Sequence, residues 1–136
     1  DQLTLEYEPI DSIDLMERLQ SLKTGALVSA ATELGCIAAG GTMEQRERVR
    51  SYAQLLGRAF QIRDDMLDEI SSEEELGKPV GSDRTNEKST FVTALGVDGC
   101  ADLVKQLTRR AVEALDGFED PAFHIWLAQS LAERKK

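Results

Sequence analysis

Between residues 43 and 70 the chain carries no proline and a single glycine, and its apolar residues recur at helical spacing. On a wheel of about 100° per residue with Gln61 at zero, Gln54, Gly57, Asp64, Asp65 and Asp68 all fall on one side. Tyr52, Leu55, Leu56, Ala59, Met66, Leu67 and Ile70 lie opposite, and Phe60 and Ile62 flank the polar strip. The apolar arc is wider than that of an ordinary surface helix, so this helix must be covered over most of its circumference. A narrow acidic strip is what remains uncovered.

The rest of the chain reads as helix as well, with no alternating β-branched run to argue for a sheet. Pro9 and Ser12 precede a helical segment at about 12–22. The small-residue stretch TGALVSAATELGCIAAGG follows and stops at Gly40-Gly41, and its size lets other helices approach its backbone. The long helix starts at Thr42 or Met43 and ends near 70. Residues 71–88 carry Gly77, Pro79 and Gly81 and predict an ordered loop with room for one helical turn. A short helix from 89 or 90 ends at Gly96, and another covers about 98–115. Asp120 is the expected N-cap and Pro121 the first position of a last helix reaching ERKK. The expected fold is all-α, one domain of about five to six helices.

Composition narrows the function classes. The net charge of -9 argues against a nucleic-acid surface, because phosphate backbones are gripped by clustered Lys and Arg. No segment approaches the roughly 18 apolar residues of a membrane span. Cys36 and Cys100 lack metal-type spacing and read as reduced thiols of a cytoplasmic protein, and a single histidine, His124, makes histidine-centred chemistry a poor expectation.

The strip at FQIRDDMLD can be a solvated helix face or a cation site. Three like charges within one turn repel one another with no Lys at i+4 to relieve them, and the strip contains Gly and Gln in place of Lys/Glu partners. Carboxylates at i, i+1 and i+4 supply hard oxygen ligands of the kind Mg²⁺ takes, with water and substrate phosphates completing its shell. Lys23, Lys78 and Lys88 all stand at turns, next to glycines or at a helix start, where they suit a diphosphate clamp. Arg63 is a misfit on the apolar side of the helix, explained only by snorkelling.

The motifs KTGAL (23–27), FQIRDDMLD (60–68), GKPVGSD (77–83) and KST (88–90), in that order, resemble the second half of a short-chain trans-isoprenyl diphosphate synthase of the farnesyl diphosphate synthase branch. The resemblance covers nearly the whole chain and implies an isoprenoid-synthase-type helical bundle. Residues 1–136 would be the C-terminal half of one domain, with the first aspartate-rich motif and the isopentenyl diphosphate segment in an absent N-terminal half. It further implies Mg²⁺ held by Asp64, Asp65 and Asp68, an allylic diphosphate gripped by Lys23 and Lys78 with Lys88 nearby, and Thr24 and Gln61 facing the allylic carbons. Lys23, Thr24 and Gln61 are thus the expected catalytic residues. Asp83 is a weaker supporting candidate, and Phe60 is expected to pack. Where the family often has Gly before the KST lysine this chain has Glu87, which can pair with Lys88.

The reaction the resemblance implies condenses dimethylallyl or geranyl diphosphate with isopentenyl diphosphate to give farnesyl diphosphate. Geranylgeranyl diphosphate synthesis is the close alternative, and a non-catalytic helical subunit the alternative from another class. The 136 residues alone are expected to be inactive, with partly orphaned apolar surfaces and a homodimeric or swapped packing.

Overall fold

The computed structural model describes residues 15, 18, 21–76 and 91–135. They form a π-helical turn, Ser21–Gly25, and four α-helices: α1 (Ala26–Ala38), α2 (Met43–Leu76), α3 (Phe91–Glu113) and α4 (Ala122–Glu133). No strand occurs among the described residues, and the all-α expectation holds. Leu15 and Arg18 of the expected first segment are helical, while Pro9 and Ser12 lie outside the described residues.

The break at Gly40-Gly41 falls where the two glycines predict it. Gly40 takes φ 78°, its amide donates to the Ile37 carbonyl at 3.0 Å and that of Gly41 to Cys36 at 2.9 Å, the pair of bonds that closes a helix end on a left-handed residue. The chain restarts at once, because Thr42 and Gln45 cap each other reciprocally: Thr42 N–H to Gln45 Oε1 at 2.9 Å, Gln45 N–H to Thr42 Oγ1 at 3.1 Å.

The long helix α2 does not end near residue 70 but continues to Leu76. Ser71-Ser72 does not stop it, since the glutamates at 73–75 favour helix and the strong breakers, Gly77 and Pro79, come later in the sequence. In α3 the backbone breaks at Gly96 (φ 74°, ψ 169°), as the expected division at that glycine requires. The last helix starts differently from expectation: Pro121, not Asp120, is the cap residue, and no side chain caps the end. Proline is the residue that loses nothing there, having no N–H to satisfy.

The core lies between α2 and α3. Tyr52, Leu55, Leu56, Ala59 and Met66 of the apolar arc, with Ile62 from the edge of the polar strip, close on Phe91, Val92, Cys100, Val104, Leu107 and Ala111, with Ala128 of α4 completing it. Tyr52 ties α4 down as well, its hydroxyl donating to the His124 carbonyl at 2.7 Å while burial pushes its pKa to about 12. By contrast α1 buries none of its residues, and Leu27 and Leu34 are 74% and 65% exposed. It is held to α2 by charge: Glu33 Oε1 meets Arg46 Nη2 at 3.1 Å and Arg50 Nη2 at 2.6 Å. No described helix is long and apolar enough to cross a membrane.

Candidate functional site

The π-turn delivers KTGAL onto the face of α2 that carries the polar strip. Its closest approach is between glycines: a Cβ added to Gly57 would stand 3.4 Å from the Gly25 Cα. With no side chain at either residue, the turn sits against the helix backbone. One turn further along α2, Thr24 Oγ1 donates to Gln61 Oε1 at 3.2 Å. Having committed its proton to Gln61, the Thr24 hydroxyl has oxygen lone pairs left for a third party. Lys23, the residue before it, is exposed.

Below Gln61 the three aspartates point to different surroundings. Asp64 is half exposed and its Oδ1 accepts from Arg134 Nη2 at 3.1 Å. Asp65 is half buried, and its charge bears on the fully buried Cys100 across the α2–α3 boundary, adding to the burial that pushes that thiol to about 11. Asp68 is exposed. The described residues contain no group of three His, Cys, Asp or Glu side chains converged to hold a metal.

That spread still fits the kind of ion the sequence suggests. Mg²⁺ keeps several waters and takes only one or two protein carboxylates when substrate phosphates supply the rest. Asp64 and Asp68, a turn apart on the same strip and both open to solvent, present hard oxygens without any opening of the core. Lys78, Lys88 and Asp83 lie outside the described residues.

Two arginines given no role in the motifs also take part. Arg63, the misfit of the wheel, directs its Nε and Nη2 to the carbonyl of Arg134, at 3.0 and 2.8 Å. Arg134 in turn folds back over Phe60, its guanidinium carbon 4.4 Å from the ring centroid, to reach Asp64. Phe60 therefore packs, as expected, and serves as the platform for a cation.

Residues 2–120 match the polyprenyl synthetase family. Among curated relatives, geranylgeranyl pyrophosphate synthase 6, mitochondrial, of Arabidopsis thaliana is 43% identical over 109 residues, which is 80% of this chain and 32% of the relative. The heterodimeric geranylgeranyl pyrophosphate synthase large subunit 2 of the same plant is 38% identical over 126 residues, 91% of this chain and 34% of its own. The crystal structure of an apo FPP/GFPP synthase from Zymomonas mobilis superposes with a TM-score of 0.76 at 29% identity, over 96% of this chain and 42% of that one. The helical bundle is shared with that solved synthase, and the chain belongs to the polyprenyl synthetase family. It spans about a third of the length of the curated relatives it matches.

Proposed function

We propose that this chain supplies one wall of the active site of a prenyl-chain-lengthening enzyme, which joins an allylic diphosphate to isopentenyl diphosphate and releases farnesyl diphosphate. The observation that carries the reading is the Thr24–Gln61 contact, which brings KTGAL to the head of the aspartate strip over 37 residues of sequence. The polar residues of the turn and of the strip meet there, on a helix whose other side forms the core.

In this reading Asp64 and Asp68, with Asp65 behind them, hold Mg²⁺ ions. When bound, the ions neutralise charge developing on the departing diphosphate, which would otherwise not leave. Lys23, at the turn, grips the same diphosphate from the other side, with Lys78 and Lys88 assigned to it from the motifs. The allylic C–O bond breaks with both electrons going to the diphosphate. Thr24 Oγ1 and Gln61 Oε1 face the resulting allylic cation with lone pairs and stabilise it without reacting. The isopentenyl double bond then forms the new C–C bond, and a proton leaves the condensed cation.

The second reading is a twenty-carbon product, favoured by the names of the curated relatives, which are geranylgeranyl pyrophosphate synthases. We place assembly as a homodimer in the same proposal; the exposed leucines of α1 support a protein surface there. Chromatography of the products of the full-length enzyme decides between the readings: a fifteen-carbon main product supports farnesyl synthesis, and a twenty-carbon one refutes it.

A further inference from the structure

Arg63 and Asp64 are consecutive on α2 and both hold residue 134, one by its carbonyl and the other by its guanidinium. The grip depends on the way α4 ends. At Arg134 the backbone turns to φ -59°, ψ 148°, leaving the helix, and its carbonyl accepts two N–H groups from Arg63. The side chain then lies over the Phe60 ring, only 19% exposed, with Nη2 on Asp64 Oδ1. A rim ion pair between flexible side chains has none of these supports. Here the backbone, an aromatic face and a carboxylate all define one position for the guanidinium.

That position has a consequence for the cation. A guanidinium and a divalent cation carry the same sign of charge and both seek the lone pairs of a carboxylate oxygen. Each lowers the negative potential at the carboxylate that attracts the other. The two therefore compete for Asp64. The two Arg63 bonds end on the Arg134 carbonyl and leave the Arg134 guanidinium out, so that side chain can leave Asp64 while its backbone stays anchored.

We infer that Arg134 is a resident counter-ion of Asp64, occupying the aspartate strip until a divalent cation displaces it. It keeps the strip from standing as uncompensated negative charge when no substrate is present, and it ties occupancy of the strip to the end of α4. This rests on the reading of Asp64 as a cation ligand.

The test is the affinity of the intact full-length protein for Mn²⁺ without diphosphate, followed by electron paramagnetic resonance of the free ion. Arg134→Gln, which keeps a polar side chain but no charge, is expected to bind Mn²⁺ about three- to tenfold more tightly, the scale of a partly exposed charge pair. Arg134→Lys, which keeps the charge, is expected to stay near wild type, and thermal unfolding checks that all variants fold. Asp64→Asn is expected to bind more weakly whatever stands at 134. If Asp64→Asn weakens binding but Arg134→Gln leaves it unchanged or weaker, the counter-ion role is overturned and the functional reading survives. If Asp64→Asn has no effect, both fall.

Discussion

Thr24 Oγ1 lies 3.2 Å from Gln61 Oε1, joining a π-helical turn to the middle of a long helix. Each residue's orientation depends on the other, because the hydroxyl satisfies the amide oxygen and the amide oxygen fixes the direction of the hydroxyl's proton. Thr24→Val keeps the shape of the side chain and removes that donor. It is expected to lower turnover of the full-length enzyme at least about tenfold, since a developing cation loses an aligned dipole. The same change costs about 0.5–1.5 kcal/mol of stability. Steady-state kinetics and thermal unfolding read the two effects separately.

Gly57 sets how closely the turn can approach. Its added Cβ would be in ordinary contact with Gly25, so Gly57→Ala is expected to fold and to gain up to about 1 kcal/mol in helix propensity. Gly57→Leu adds atoms where the turn already lies and is expected to separate Thr24 from Gln61. Turnover should then fall far more in the leucine variant than in the alanine variant. Equal activity in both would show that the close approach does not matter.

The attachment of α1 should depend on acidity. Hydrogen bonds from Arg50 and then Arg46 hold the Glu33 carboxyl below its ordinary value of 4.5. A folded-state value lower than the unfolded one means the stabilisation is complete above pH 4.5 and is lost as pH falls through the lower, folded value. Urea midpoints measured between neutral and acid pH should therefore drop more steeply for wild type than for Glu33→Gln.

Tyr52 gives the opposite dependence at the alkaline end. Burial raises its pKa from 10.0 to about 12, so its contribution is complete below pH 10 and is lost as pH rises through about 12. Tyr52→Phe removes the bond to the His124 carbonyl and is expected to cost about 1 kcal/mol at neutral pH, measured by denaturant unfolding. The variant should also lose the part of the alkaline sensitivity that wild type shows.

How far the sequence could be read depended on whether a feature was local. The helix stop at Gly40-Gly41 and the break at Gly96 follow from glycine's access to positive φ, a property of single residues. Most of the apolar arc of α2 is buried, because helical periodicity is itself a packing rule, but Ile70 of the arc is exposed and Ile62, at the edge of the polar strip, is buried. Within the site, Thr24 and Gln61 were named from motifs, and their contact joins them directly. The end of α2 is less legible, because Gly77, Pro79 and Gly81 mark a loop without fixing where the helix before it stops, and the glutamates at 73–75 extend it to Leu76. Arg134 was invisible for a different reason: its partners Asp64 and Arg63 are 70 and 71 residues away, and only the docking of α4 brings them together. The one available hint was Arg63 itself, a full charge on the apolar side of a helix.

The central claim, that the aspartate strip is catalytic and not a solvated face, is tested most directly by Asp64→Ala in the full-length enzyme. The change removes a half-exposed ion pair, which stabilises the fold by at most about 1 kcal/mol, so unfolding should hardly move. Turnover should fall by about two orders of magnitude or more, as it does when charge stabilisation is taken from a departing group. Unchanged turnover in a folded Asp64→Ala enzyme would contradict the account.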